Sequence, residues 1–259
     1  MIAFASLLSL FLVLAGAITF RLGLLPFGIS FSTFGLGLVA CAILAITTGA
    51  LIFRRLARKQ PVGKLPLWLI LCSLPVVLVF KQVGLAGFQA PPIHDISTDL
   101  LHPPVFVFAQ AKRGSGDNSL VHGGEALAEQ QRQGYPQLAP LHLSASKAEV
   151  WAGAKTLIAK NKWHVLGEDK SRGHIEAAAI TPLMAFTDDI VIRISVETVA
   201  DKAVVNKNVT SRTEKEQVPI AEKVIVDVRS VSRVGVSDLG ANAARIDAFL
   251  HELKDLLNK

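Results

Sequence analysis

The apolar positions follow two different patterns, which divide the chain near residue 88. Before it lie three almost wholly apolar runs, at about residues 2–20, 34–53 and 66–85. Each run is long enough to cross roughly 30 Å of hydrocarbon as a helix, at about 1.5 Å of rise per residue. After residue 88 the apolar runs are short and alternate with charged positions. The pattern predicts a three-helix transmembrane segment over residues 1–87, followed by polar parts.

The first and third runs each admit a second interpretation. No Lys or Arg precedes the first run and a second apolar run soon follows, which favours a retained helix over a signal peptide. Pro75 interrupts the third run and Lys81 lies near its end, which kinking and snorkelling accommodate. If the third run were re-entrant instead, the polar domain would lie on the same side of the membrane as the loop between the second and third runs. In the second run, Ala45 and Gly49 form a small-xxx-small pair, suited to close helix packing or a chance pairing.

Residues 88–140 show no regular period and are expected to form an extended strap and a surface loop. Pro91-Pro92 and Pro103-Pro104 disfavour helix on either side and favour an extended strap lying over the domain. The stretch from Gln110 to Pro140 is polar and rich in glycine. It predicts a long surface loop with a short helical run over Glu125–Arg132.

Two amphipathic helices are predicted in the remainder, residues 141–259. Ser146 and Glu149 have the spacing of a capping box, and apolar residues follow at helical intervals, which predicts a helix over Lys147–Lys160. A second apolar stripe predicts a helix from about Gly240 to Leu257. Asp238 or Asn242 is expected to cap it.

Four strands are predicted between the two helices. Their expected ranges are Trp163–Leu166, His174–Ile180, Asp189–Glu197 and Lys223–Val234. The connection Thr181–Thr187 is unusually apolar for a turn, so it either tucks into the core or rims a pocket or touches lipid. The connection Thr198–Glu222 is expected to be an extended or poorly ordered hairpin tip.

The order helix, four strands, helix predicts an α+β fold. An antiparallel sheet with one apolar face needs a cover on that face, and two amphipathic helices supply it. We therefore expect a two-layer sandwich of a four-stranded antiparallel sheet and two helices, in a helix-grip-like arrangement, joined to the N-terminal transmembrane helices.

Charge is distributed unevenly between the two parts. The chain is 51% apolar with a mean hydropathy of +0.42. The first 87 residues contain seven Lys and Arg and no Asp or Glu, whereas the rest contains 20 basic and 21 acidic residues. The high isoelectric point therefore comes from the membrane part, and it gives no reason to expect nucleic-acid binding.

The basic residues between the apolar runs predict the orientation of the segment. Five of them lie between the second and third runs, against Arg21 alone between the first and second. Loops rich in Lys and Arg remain in the cytoplasm. We expect a multi-pass protein of the inner membrane, with a cytoplasmic N-terminus and a periplasmic C-terminal domain.

Metal and cofactor chemistry has weak support in the residue pattern. The nearest approach to a metal-ligand cluster is His94, Asp95, Asp99 and His102, but the spacing matches no named motif and Asp99 could equally cap a turn. Both cysteines, Cys41 and Cys72, lie in apolar runs, so the polar domain has no thiolate ligand. No metal and no cofactor are predicted.

Two stretches of the polar part resemble the domain-of-unknown-function 1499 family. They read PPIHDISTDLLHPPVF from Pro91, and DDIVIRI from Asp188 followed by VDVRSVSRVGVSDLGANAARIDAFL from Val226. The resemblance covers roughly Gln89 to Leu257 and implies no established activity. The family's pattern falls on Asp188, Asp189, Arg193, Arg229, Ser230, Ser232, Arg233, Gly235, Asp238, Gly240, Asn242, Arg245 and Ile246.

The arginines of this pattern support two hypotheses. One is a cross-strand ladder of ion pairs, with Asp238 and Asn242 fixing the turn before the last helix. The other is a site for an anionic lipid headgroup or another envelope component, where guanidinium groups lie beside a helix N-terminus. The residues of that candidate ligand site are Arg193, Arg229, Arg233, Asp238, Asn242 and Arg245.

The function expected is that of a membrane-anchored, non-catalytic binding or scaffold domain. Its partners would be the lipid bilayer and either another membrane protein or an anionic envelope component. The alternative is a hydrolase acting on a cell-envelope substrate, because serines, histidines and aspartates are all present. No named catalytic motif favours that alternative.

Overall fold

The computed structural model describes residues 1–198 and 222–258, which form two compact units. One unit comprises Met1–Ala90 with Ile180–Phe186, and the other Pro91–Ala179 with Thr187–Lys259. Nearly all of the connection predicted from Thr198 to Glu222 lies outside the described residues.

The helical unit contains three long helices at the predicted apolar runs. They are α1 (Ile2–Arg21), α2 (Phe27–Ala57) and α3 (Leu65–Phe88), with mean hydropathies of 2.3, 2.4 and 2.1 over their most apolar windows. All three are long and apolar enough to cross a membrane. α3 contains Pro75, and Gly84 leaves the helical conformation with φ 68° and ψ 173°, which divides the helix near its end.

Two glycines allow α1 and α2 to approach each other closely. A Cβ on Gly16 would lie 2.5 Å from the backbone nitrogen of Phe34, and one on Gly37 would lie 2.6 Å from that of Val13. The small-xxx-small pair of Ala45 and Gly49 does not create a comparable approach, because a Cβ on Gly49 would meet only Leu69, at 4.0 Å. The pair at Ala45 and Gly49 thus matches the chance alternative, and small residues at other positions set the spacing of α1 and α2.

The apolar connection between the second and third predicted strands packs into the core of the helical unit. Met184 is buried there, and the ring of Phe186 lies 5.2 Å from that of Phe20 and 5.8 Å from that of Phe27. Arg21 Nη1 donates to the carbonyl oxygens of Pro182 at 2.6 Å and Leu183 at 3.2 Å. This packing explains why the connection Thr181–Thr187 is more apolar than a turn usually is.

The second unit is built on an antiparallel sheet of six strands. They are β1 (Asp95–Ser97), β2 (Leu141–Leu143), β3 (His164–Asp169), β4 (His174–Ile180), β5 (Thr187–Thr198) and β6 (Glu222–Ser232). The order is β1-β6-β5-β4-β3, and β2 also pairs with β6. The four long strands were predicted. β1 and β2 were not, because three residues are too few to show alternation.

Two helices cover one face of the sheet, as predicted. α5 (Lys147–Lys160) begins with the predicted capping box, in which the Ser146 side chain accepts from the Glu149 amide and the Glu149 carboxylate from the Ser146 amide. α6 (Ala241–Leu257) packs beside α5. Between helices and sheet lies the main core. It includes Val150, Leu157, Ile190, Ile192, Ile194, Val224, Val226, Val228, Ile246, Phe249 and Leu253.

The strap (residues 91–123, between α3 and α4) covers part of the opposite face of the sheet. Phe106 and Ala109, the latter in a short 3-10 turn over Ala109–Lys112, form a second small core with Val191 and Val231. A further helix, α4 (Gly124–Gly134), follows the strap at the predicted helical run. The α+β fold is thus as expected, but its second face is partly buried.

Candidate functional site

The six candidate residues divide between the two faces of the sheet. Side chains alternate along a strand, and β6 directs Val224, Val226 and Val228 into the main core. Arg229 and Arg233 therefore point to the strap side, together with Arg193 of β5, which pairs in register with Asp227. The other three candidates lie on the helix side of the sheet. Asp238 precedes α6, and Asn242 and Arg245 are in its first turns. The structure thus separates one predicted surface into two clusters.

Arg229 is the most deeply buried arginine in the described part of the chain. Its Nε and Nη2 donate to the two carboxylate oxygens of Asp95, each at 2.8 Å. The remaining bonds reach the strap, from Nη1 to Pro104 O at 3.1 Å and from Nη2 to Leu120 O at 2.8 Å. The guanidinium also lies 5.3 Å from the ring centre of Phe106. One side chain of β6 therefore holds three separate points of the strap.

Arg193 joins β5 to β6 and to the strap. Its Nη2 lies 2.8 Å from carboxylate oxygens of both Asp227 and Asp99, and its Nη1 donates to His102 O at 2.9 Å. Burial alone would raise the pKa of Asp99, but donation from the His102 amide, Arg193 and the Leu101 amide outweighs it and lowers that pKa. Asp99 is thus held ionised as the partner of Arg193.

Asp189 of β5 is shared by two arginines. Arg233 Nη2 donates to it at 2.8 Å, and Arg113 Nε donates to it at 2.7 Å. Arg113 also donates to Asn118 O at 2.5 Å and Val231 O at 2.9 Å, while Arg233 reaches Lys112 O at 3.0 Å. The sequence reasoning missed Arg113, because a single basic residue in a polar, glycine-rich stretch carries no periodic signal.

The helix-side cluster surrounds the start of α6. Arg245 Nη2 donates to Asp188 at 2.6 Å, and Asn242 bridges three groups, accepting from Ser230 Oγ and donating to Ser232 Oγ and His94 O. Asp238 accepts from the backbone amides of Gly240 and Asn242, each at 2.8 Å. Asp238 thus satisfies amides at the start of the helix, but Gly240, rather than Asp238 or Asn242, occupies the N-cap position.

Burial dominates the electrostatics of this second cluster. It raises the pKa of Asp238 even though the amides of Asn242 and Gly240 favour the ionised carboxylate. Burial and the nearby Asp238 raise the pKa of Tyr135 to about 12. The Tyr135 hydroxyl is therefore neutral at physiological pH and is not poised to act as a base.

Glu176 of β4 is a second residue that the sequence reasoning missed. Its side chain is fully buried, and it accepts from the backbone amides of Val107, Phe108 and Ala109 at 2.5, 3.0 and 2.7 Å. His174 Nε2 lies 2.7 Å from the same carboxylate. A signal was available, because Glu176 is the single charged residue in the run Ile175–Ile180. Together these bonds fix the strap where its 3-10 turn begins.

Three of the four residues considered as metal ligands have other side-chain contacts. Asp95 and Asp99 pair with Arg229 and Arg193, and His94 Nδ1 lies 3.3 Å from Val236 O. Asp99 also accepts from the amides of Leu101 and His102, which is the turn-capping role considered above. Among the described residues, no three His, Cys, Asp or Glu side chains are grouped as a metal site requires.

The serines of the motif bond to amides and guanidinium groups. Ser230 Oγ donates to Asn242 Oδ1 at 2.7 Å and accepts from Arg245 Nη1 at 3.1 Å, and Ser232 Oγ accepts from Asn242 Nδ2 at 3.0 Å. In the portions of the chain described by the structure, neither hydroxyl has a histidine side chain as its hydrogen-bond partner. A serine nucleophile needs such a base within hydrogen-bond reach.

A family model described as a protein of unknown function, DUF1499, matches residues 95–253. The chain belongs to the DUF1499 family. The match runs from β1 into the last turns of α6 and includes every arginine and carboxylate of the two clusters. No individual curated protein matches the chain. The shared domain is therefore the strapped sheet with its helices.

Proposed function

We propose that this protein is a membrane-anchored, non-catalytic binding or scaffold protein, in which the arginine cluster holds the strap on the sheet. The proposal rests on the observation that five guanidinium groups already form ion pairs within the domain. Arg113, Arg193, Arg229, Arg233 and Arg245 each donate to a carboxylate of the same domain. Each of these guanidinium groups is therefore compensated within the domain, the first four on the strap side of the sheet and Arg245 on the helix side.

Arg229 shows why an internal role is favoured over an anion site. A guanidinium has five N–H donors, and Arg229 makes four hydrogen bonds within the domain. Its side chain is only 2% exposed. An anionic headgroup would have to displace Asp95 and then replace both of its bonds, leaving that carboxylate buried without a partner.

A headgroup analogue tests the internal role against the anion site. The full-length chain in detergent is melted with and without glycerol phosphate, alongside the variants Arg193→Gln and Arg233→Gln. We expect no stabilisation by glycerol phosphate and a lower melting temperature in both variants. The anion-site hypothesis requires the reverse. Glycerol phosphate would then stabilise the wild type but neither variant, and without glycerol phosphate the variants would melt at the wild-type temperature.

The absence of catalysis is tested separately with generic ester and phosphomonoester substrates. We expect the purified full-length chain to turn over neither class, since Ser230 donates to the Asn242 side-chain oxygen, Ser232 accepts from the Asn242 side-chain nitrogen, and neither hydroxyl bonds to a histidine base. Turnover that is abolished by replacing Ser230, Ser232 or His174 would establish the hydrolase alternative instead.

We further propose that the family domain lies outside the cytoplasm, in the periplasm if the cell is a bacterium. Arg21 at the end of α1 contacts Pro182 and Leu183 of the connection between β4 and β5. That connection thus lies beside the α1–α2 loop, and the basic α2–α3 loop lies at the other end of α2. The positive-inside rule assigns the basic loop to the cytoplasm, which supports a fully crossing α3.

Labelling of single introduced cysteines tests this orientation. The two native cysteines are buried and are not expected to react. With a membrane-impermeant maleimide on intact cells or spheroplasts, we expect Ser115→Cys in the strap region to react at once. The matched variant Gln60→Cys, in the α2–α3 loop, should react only after permeabilisation. Reaction of both residues under the same condition would refute the orientation.

A further inference from the structure

An open recess lies at the end of the helical unit where α2 ends and α3 begins. Its volume is about 550 Å³, and it is lined by the first turn of α1, by the end of α2 and by the residues that lead into α3. The lining residues that matter here are Arg55, Val62, Lys64, Leu65 and Trp68. The recess therefore combines two cations with an apolar floor and an indole ring.

The positive charge around this recess has no carboxylate in its own unit to compensate it. The α2–α3 region carries Arg54, Arg55, Arg58, Lys59 and Lys64, and the first acidic residue of the chain is Asp95. The helical unit, Met1–Ala90 with Ile180–Phe186, therefore contains no Asp or Glu, whereas five arginines of the family domain each donate to a carboxylate of that domain. Arg55 Nη1 donates to Pro61 O at 3.0 Å. Its other donors and the Lys64 ammonium can meet an external anion.

The apolar part of the lining favours a ligand that has an apolar part as well as a negative charge. Val62, Leu65 and Trp68 are each partly buried and follow the cations into an apolar helix. Trp favours the boundary between headgroups and hydrocarbon. A small free anion would satisfy the cations and leave this surface in water, whereas a phospholipid would satisfy both.

We propose that this recess binds an anionic glycerophospholipid, with its phosphate between Arg55 and Lys64 and its acyl chains along α3. The inference rests on the proposed role of the three helices as a membrane anchor. A basic recess between transmembrane helices is the type of site at which acidic headgroups bind. A zwitterionic lipid brings a compensating cation to the same phosphate and is bound less strongly.

Two charge-matched double variants test whether the recess itself is the site. Full-length protein in detergent is analysed by native mass spectrometry with equimolar phosphatidylglycerol and phosphatidylcholine. We expect Arg55→Gln with Lys64→Gln to lower phosphatidylglycerol binding about twenty-fivefold, at roughly fivefold per basic residue. The control, Arg54→Gln with Arg58→Gln, removes equal charge but neither residue lines the recess, so phosphatidylglycerol binding should fall much less than in the recess variant. Equal losses in both pairs, or equal binding of the two lipids by the wild type, would overturn the proposal.

A measurement on the wild type covers the case in which the recess variant does not fold. Brominated phosphatidylglycerol should quench the fluorescence of Trp68, and Trp68→Phe should remove that quenching. Brominated phosphatidylcholine at the same concentration should quench less, and excess inorganic phosphate should not restore the fluorescence. If phosphate restores it, the site takes a free anion and the proposal fails. The cysteine labelling above is independent, so failure here leaves the proposed topology standing.

Discussion

Arg229 and Asp95 form a bidentate ion pair between residues 134 positions apart in the sequence. Their side chains are 2% and 6% exposed. β1 and β6 are neighbours in the sheet, and Asp95 opposes Val231 in their register, so the two side chains meet diagonally across the strand pair. The pair thus fastens the beginning of the strap to β6, the strand that also carries Ser230 and Ser232 of the family pattern.

Loss of the Arg229 side chain is expected to be strongly destabilising. Arg229→Gln leaves the Asp95 carboxylate buried without its partner, which costs about 3–5 kcal/mol. The measurement is denaturant unfolding of the full-length chain in detergent, followed by fluorescence of the core residues Trp151 and Trp163. The control is Arg172→Gln, because the side chain of Arg172 is 80% exposed in its pair with Asp169. The control should change stability by about 0.5 kcal/mol or less, and similar effects in both variants would contradict the prediction.

The Glu176 carboxylate is expected to make stability depend on acid pH. Burial alone would raise its pKa, but donation from His174 and the amides of Val107, Ala109 and Phe108 outweighs it and lowers the pKa below 4.5. A group with a lowered folded-state pKa stabilises fully above its unfolded value. That contribution is lost as the pH falls below about 4.5 and through the folded-state pKa.

Glu176→Gln should therefore weaken the fold at neutral pH and flatten its acid dependence. We expect a loss of about 1.5–3 kcal/mol at neutral pH, because hydrogen bonds to a charged group are removed. The measurement is the melting temperature as a function of pH. Glu168→Gln on β3 is the control, since its pair with Lys155 is exposed. An unchanged acid dependence in Glu176→Gln would show that another group titrates.

Gly167 provides the space into which the strap packs. A Cβ at this position would lie 2.3 Å from the ring of Phe108, so Gly167→Ala must displace that ring. Overpacking of this kind costs about 1–3 kcal/mol. We expect a lower melting temperature and faster tryptic cleavage at Lys112. Gly114→Ala is the control, because nothing lies within 4 Å of its Cβ position. Equal cleavage rates in the two variants would contradict the packing.

Gly37 is expected to be essential for the close packing of α1 and α2. Ser9 Oγ lies 3.3 Å from Cys41 Sγ, so a cysteine at position 9 should form a disulfide with Cys41 under mild oxidation. In that Ser9→Cys background, Gly37→Leu should strongly reduce the disulfide yield, because the larger side chain separates the helices. Gly35→Leu, on the same helix and with nothing within 4 Å of its Cβ position, should retain it. Equal yields would refute this packing.

Local patterns account for the elements that the sequence reasoning found correctly. The capping box before Lys147 and the alternation of β5 involve residues only a few positions apart, so they are visible in the sequence. β1 and β2 have three residues each and acquire their strand character only from pairing with β6. Short strands of this type require the partner strand to be in place.

The three apolar helices, the four long strands, the capped helix α5 and the candidate arginines are all visible in the sequence. Each depends on periodicity, composition or a short motif. The carboxylate that each arginine meets, the placement of Arg229 and Arg245 on opposite faces of the sheet, and the packing of Ile180–Phe186 with the helical unit are visible only in the folded chain. The physical reason is distance along the chain, because contacts such as Arg229 with Asp95 depend on how the whole sheet assembles and on no local property of either residue.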